Sequence, residues 1–234
     1  LRDYITDQEL YEKIVDRYES KKSNEDLFIM SISMQNHGGY TEKYDNFDEK
    51  ARMLGINYPD VNQYLSLIHE SDSALEYLIS YFEKVDDPVE IVFFGDHQPS
   101  LSSSFYPYLN GKGLGGLTLS ELENLYTVPF FIWTNYDSEK ENVELTSLNY
   151  LSTLALERAG ITLPAYNQFL ADMMEEIPAV NSRGFYSKSQ GRFLHVEDAA
   201  GEDARWMKNY EILQYNNMFD KRNKSELFFP YLKQ

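Results

Sequence analysis

The sequence predicts an α/β fold, and three observations carry that prediction. Three short runs are apolar on both faces: residues 26–33 (DLFIMSIS), the strand within 89–96 (VEIVFFGD) and residues 128–134 (VPFFIWT). Segments with helical periodicity separate them. Strong breakers, such as the DDP at 86–88, punctuate the boundaries. A strand that is apolar on both faces belongs in a sheet covered on both sides, which is the arrangement of α/β proteins.

The elements come in this order. Residues 6–20 predict a helix in which Leu10, Ile14 and Tyr18 share a face, with Thr6 and Glu9 in capping-box spacing. The first strand, 26–33, runs straight into MQNHGGY. After a polar loop, residues 60–84 predict a long helix, because Val61, Tyr64, Leu65, Ile68, Leu75, Leu78, Ile79 and Phe82 keep one period. The second strand ends at Gly95, and residues 99–117 read as a loop rich in Ser, Gly and Tyr. TLSELENLY is a short helix with Thr118 and Glu121 as its capping box, followed by the third strand. TSLNYLSTLALERAG predicts a helix ended by Gly160 in a left-handed conformation, and PAYNQFLADMMEEI another. After Pro178 come short strand-like pieces around 184–196, a helix near 202–218 and ELFFPYL. The simplest organisation is a main body over 1–180 with a smaller portion, 181–234, packed on it.

Composition bounds the function. The 234 residues include 38 acidic and 21 basic side chains, a net charge of -17, and are 42% hydrophobic. Phosphate contacts need clustered Lys and Arg, so nucleic acid is disfavoured as a partner. Direct docking on an anionic membrane surface is disfavoured for the same reason. With no cysteine, disulfides, thiolate metal sites and a Cys nucleophile are excluded. No stretch approaches ~18 continuous apolar residues, so no segment reads as a membrane span. The chain opens on LRDYITDQ without Met, and the expectation is a piece of a longer protein.

The chemistry gathers at strand ends, where open α/β sheets form their sites. His37 follows the first strand, and Asp96 and His97 follow the second at once. A carboxylate oxygen and a neutral imidazole nitrogen suit Zn²⁺ or Mn²⁺. Two ligands do not complete a site, and turn residues also collect at strand ends, so a plain turn stays open on this pattern alone. His69 lies beside Asp72 and Glu76 and off the apolar stripe, and His195 alternates with Leu194 and Val196; both predict surface positions. Gly111, Gly113 and Gly116 have G-x-G-x-x-G spacing, but no strand leads directly into them, so a mobile loop is the better reading than a dinucleotide turn. Ser102, Ser103 and Ser104 lack a nucleophile-elbow pattern and read as loop.

MQNHGGY and FFGDHQPS together resemble the lipoteichoic acid synthase-like phosphoglycerol transferases of the sulfatase/alkaline phosphatase superfamily. VPFFIWTNYD, TSLNYLSTLALERAGITLP and YEILQYNNMFD extend the likeness, in order, over nearly the whole chain. The resemblance implies an α/β sandwich with a mixed, largely parallel sheet between helices, truncated here at its N-terminal side. It implies one divalent metal, Mn²⁺ first with Zn²⁺ or Mg²⁺ as alternatives, held in part by Asp96 and His97. It implies that His37 contacts the substrate phosphate, as a catalytic and substrate-binding residue. The family's metal-binding Glu, its Thr nucleophile and its Trp-x-Arg element map to no residue of this chain, and Arg2 is not assigned to the last. HGGY also departs from the family's commoner H-x-P-[YF].

The implied function is that of the C-terminal part of a metal-dependent phosphoglycerol transferase. It would act on a phosphodiester lipid such as phosphatidylglycerol by two-step displacement, on the extracellular face of a bacterial membrane. Its partners would be that lipid and the N-terminal part of the same domain, with the membrane reached only through upstream segments. The chain alone is expected to be inactive and to bind metal weakly. The competing readings are a sulfuric ester hydrolase, a phosphoethanolamine transferase and a non-catalytic surface module that binds glycans.

Overall fold

The computed structural model describes residues 1–220, 222 and 225–228. Of ELFFPYL, residues 229–232 lie outside the described residues, as does the end of the expected 181–234 portion. The chain forms two compact units. The first comprises residues 1–89 and 96–116, and the second residues 90–95 and 117–234, so that 117–180 groups with the C-terminal segment.

The first unit is built on two helices, α1 (Asp7–Glu19) and α2 (Pro59–Phe82). The capping box forms as the sequence predicts: the Thr6 hydroxyl accepts from the Glu9 N–H, and the Glu9 carboxylate accepts from the Thr6 N–H. The face it orients is shifted by one residue, for Tyr11 and Val15 are the buried pair. Pro59 starts α2, where its missing N–H costs no helical bond. Val61, Leu67, Ala74, Leu78 and Phe82 are its buried apolar residues. The two helices lock edge to face through Tyr18 and Phe82, whose rings are 5.1 Å apart. The region expected as a loop contains a short helix, α3 (Phe105–Asn110), which ends on Gly111 at φ 71°. Gly111 of the glycine series thus caps a helix.

The expected first strand is a correction. Residues 26–33 carry no ladder among the described residues, and Phe28, Met30 and Ile32 are largely exposed. Apolar residues on both faces identify a segment able to sit inside a sheet, but a strand exists only where a neighbour supplies the ladder, and none does here.

The second unit holds β1 (Glu90–Phe94) and β2 (Phe130–Thr134), paired antiparallel with Ile91 opposite Trp133 and Phe93 opposite Phe131. The Phe93 and Phe131 rings stack at 5.2 Å. A second antiparallel pair joins β3 (Gly184–Ser187) to β4 (Arg192–His195). Both ladders are therefore antiparallel, in place of the largely parallel pairing expected. α4 (Leu119–Glu123), with its Thr118–Glu121 capping box, lies between β1 and β2; α5 (Leu151–Arg158) and α6 (Ala165–Glu176) lie between β2 and β3; and the last helix among the described residues is α7 (Gly201–Met218). Gly160, at φ 67°, turns the chain after α5 as its sequence predicts. The core of this unit is Tyr150, Leu170, Met173, Ile177, Phe185, Leu194 and Tyr210.

Candidate functional site

His37 sits on an exposed turn, closed by its own N–H donating to the Met34 carbonyl at 3.0 Å. The turn is held from below by a polar network. Ser71 of α2 donates to Asp7 Oδ2 at 2.5 Å and accepts from the Asn36 amide at 2.7 Å and the Gln35 amide at 3.1 Å. One donor and two acceptor positions are all a hydroxyl has, so Ser71 is saturated. Buried Gln35 returns the link by accepting from the Asp7 N–H at 3.1 Å. Tyr40 closes the turn from the other side, its hydroxyl donating to the Asn36 carbonyl at 2.7 Å.

Arg2 grips the same turn. Its Nη2 donates to the carbonyls of His37 at 3.2 Å and Gly39 at 2.9 Å. The guanidinium is buried against three tyrosines, 5.3 Å from the Tyr44 ring centroid, 5.6 Å from Tyr40 and 5.8 Å from Tyr4. A cation over electron-rich faces is stabilised without a counter-ion. At the tip, the Tyr4 hydroxyl lies 3.3 Å from His37 Nδ1.

Asp96 and His97 are exposed and folded onto each other. The His97 N–H donates to Asp96 Oδ1 at 2.8 Å, and His97 Nε2 stands 3.6 Å from Asp96 Oδ2. His97 Nδ1 is 2.9 Å from the Gln98 carbonyl. A carbonyl can only accept, so this bond puts a proton on Nδ1; in the neutral ring the lone pair is then on Nε2, which is how a backbone partner prepares a histidine for a metal. Two ligands each about 2.1 Å from one tetrahedral cation stand about 3.4 Å apart. The Nε2–Oδ2 pair therefore fits two positions of a cation's shell. Among the described residues no group of three or more His, Asp or Glu side chains converges, so the set is two ligands and no more.

Both motifs belong to the first unit. Burial pushes the Tyr40 phenol up to about 12, with the charges of Tyr64 and Asp96 adding to it and that of Arg2 opposing it. His69 and His195 are exposed, as their patterns predict. Tyr4, Gln35, Ser71 and Asp7 were not legible as site residues, because their bonds span 28 to 64 positions and leave no local pattern. The one signal available was the polar QN preceding His37 between an apolar run and a Gly-Gly turn.

These features define an α/β protein with polar turns, carrying His37 and the Asp96–His97 pair, in its first unit. The chain belongs to the sulfatase family: the family profile, Sulfatase, matches residues 2–161. The fold is that of Streptococcus pyogenes phosphoglycerol transferase GacH, solved with sn-glycerol-1-phosphate. The TM-score is 0.63 at 20% identity, over 92% of this chain and 50% of that one. A putative cyclic beta-1,2-glucan modification protein of Rhizobium meliloti (strain 1021) is 22% identical over 97% of this chain and 36% of its own length. The capsular polysaccharide biosynthesis protein RkpI of the same organism is 34% identical over 45% of this chain and 18% of its own. The chain thus spans about a third of the first curated relative and half of the solved one.

Proposed function

We propose that this chain supplies Asp96, His97 and His37 to the site of a metal-dependent phosphoglycerol transferase of the lipoteichoic acid synthase-like type. The observation that carries the reading is the pairing of His97 Nε2 with Asp96 Oδ2 at 3.6 Å, with the Nδ1 side of the ring already engaged by a backbone carbonyl. Asp96 and His97 would hold a divalent cation, Mn²⁺ first and Zn²⁺ or Mg²⁺ as alternatives. When bound, such a cation stabilises charge on phosphoryl oxygens and on an attacking hydroxyl. Asp96 contributes the negative charge that offsets the cation, and His97 a neutral nitrogen. His37, held out on its clamped turn, binds the substrate phosphate or protonates the leaving oxygen.

The remaining parts of the reading are the donor, the acceptor and the place. The donor is a phosphodiester lipid, attacked by a Thr carried outside these 234 residues. The names of the Rhizobium relatives favour a glycan hydroxyl as acceptor. The site would face the outside of a bacterial membrane, with anchoring left to other segments, since among the described residues no helix is long and apolar enough to cross one. The family name favours one second reading, a sulfuric ester hydrolase, in which a Cys or Ser replaces the Thr.

The test offers Mn²⁺ and a fluorescent phosphatidylglycerol to this chain and to a version extended upstream, and follows diacylglycerol release. Release by the longer protein alone, lost in Asp96→Ala, is the expected result. No release from either turns the reading to sulfate esters or phosphoethanolamine lipids. Metal-dependent release by the present chain would refute its inactivity alone.

A further inference from the structure

We infer that Tyr4 is a positioning residue for His37: its hydroxyl donates to Nδ1 and so fixes the imidazole with its proton on Nε2, pointing a donor at a phosphate oxygen. The inference rests on the reading of His37 as the phosphate-binding histidine and adds which nitrogen serves and what sets it.

The geometry is a Tyr4 Oη to His37 Nδ1 contact of 3.3 Å, with ring centroids 5.8 Å apart and planes at 58°. Either partner could in principle donate. A phenolic O–H is a good donor and its oxygen a poor acceptor, because the lone pair is delocalised into the ring, whereas a neutral imidazole nitrogen is a strong acceptor. The Arg2 guanidinium, 5.8 Å from the centre of the Tyr4 ring, withdraws electron density and strengthens the same preference. Arg2 also holds both sides of the peptide turn through the His37 and Gly39 carbonyls, so ring and backbone are fixed by neighbouring residues.

The consequence is a pair of opposite tautomers. His97 gives its Nδ1 proton to the Gln98 carbonyl and keeps a lone pair on Nε2, which suits a cation. His37 has its Nδ1 lone pair occupied by Tyr4 and keeps a proton on Nε2, which suits an anion. The phenol of Tyr4 and the backbone carbonyl of Gln98 divide the roles.

The experiment is a long-range ¹H–¹⁵N correlation of the uniformly labelled chain, recorded once the ring ¹⁵N shifts stop changing with rising pH. His37 is assigned by its loss in His37→Gln, and exposed His69 and His195 report the unconstrained tautomer mixture. The expected result is a single Nε2–H tautomer for His37 in the native protein, relaxing to that mixture in Tyr4→Phe. A proton on Nδ1 of His37, or a native His37 indistinguishable from His69 and His195, overturns the inference without any need for the variant. An unchanged single tautomer in Tyr4→Phe overturns it as well. Diacylglycerol release by the extended protein carrying His37→Gln tests the phosphate-binding reading separately: undiminished release removes that role while the tautomer result stands.

Discussion

Ser71 donates to Asp7 Oδ2 at 2.5 Å, and this one hydrogen bond joins the start of α1 to the middle of α2 beneath the His37 turn. Asp7 is buried, and its other oxygen, Oδ1, has no hydrogen-bond partner. The Ser71 hydroxyl therefore bears on both the stability of the first unit and the placement of the candidate histidine.

Ser71→Ala should cost about 2–3 kcal/mol in urea unfolding, because it strips the remaining side-chain partner from a buried carboxylate and deprives the Asn36 and Gln35 amides of their acceptor. Gln35 keeps a longer contact with the Leu67 carbonyl at 3.4 Å, so the loss is partial on that side. A change below about 0.5 kcal/mol, within the range of ordinary surface substitutions, would show that water replaces the hydroxyl and that the network does not hold the turn.

Alkaline pH should unfold the protein together with its tyrosines. Burial pushes the phenols of Tyr11, Tyr40 and Tyr210 up to about 12, and that of Tyr150 higher still. The raised folded-state value means the unfolded chain gives up these protons first. Their contribution is complete below the ordinary tyrosine value of about 10 and is lost as pH climbs from there through about 12. Phenolate absorbance from these residues should rise in step with loss of near-ultraviolet circular dichroism. Assigned by Tyr→Phe difference spectra, phenolate of Tyr11, Tyr40, Tyr150 or Tyr210 appearing near pH 10 in a protein still folded would contradict the burial argument.

The sequence makes some of this architecture plain and hides the rest for identifiable reasons. Capping boxes at Thr6 and Thr118 and the glycine stop at Gly160 were readable because each is a local interaction within a few residues. The 26–33 run carries the composition of a buried strand, yet strand formation depends on a distant neighbour that composition does not name. Asp96 and His97 stand out because they are adjacent at the end of an apolar run. Arg2 and Tyr4 do not, since what makes them part of the site is contact with a turn about 35 positions away.

Metal binding by this chain should be weak and should depend on both halves of the pair. Two ligands give an exposed cation no closed shell, and Mn²⁺ prefers more oxygen donors than Asp96 offers. Mn²⁺ relaxation broadening of the His97 ring signals, titrated by NMR, should require high metal concentrations, and Asp96→Ala should weaken it by about tenfold or more, roughly 1.4 kcal/mol. Equal broadening at His195 and His97, unchanged in Asp96→Ala, would reduce the pair to an ordinary turn.

Gly184 offers a sharp test of the second unit, because its glycine is demanded by crowding and not by dihedral angle. A Cβ there would lie 2.7 Å from the Leu194 carbonyl oxygen, 3.3 Å from Glu123 Oε1 and 3.5 Å from a Leu119 methyl. The first of these is backbone of the paired strand β4 and has nowhere to go without breaking the β3–β4 register, in which Gly184 faces His195. Glu123 is itself engaged, accepting from the Asn181 amide. Gly184→Ala should therefore destabilise by about 1–3 kcal/mol, the usual range for forcing a methyl into a filled space. For a chain of this size that lowers the Tm by roughly 2–12 °C. Gly113→Ala is the control: nothing lies within 4 Å of its Cβ position. That substitution restricts the unfolded chain without a native clash and should be neutral or stabilising by up to ~1 kcal/mol. If the two alanines behave alike in a thermal melt, the approach of β4 to Gly184 is looser than 2.7 Å, and the register of the pair would have to be reconsidered.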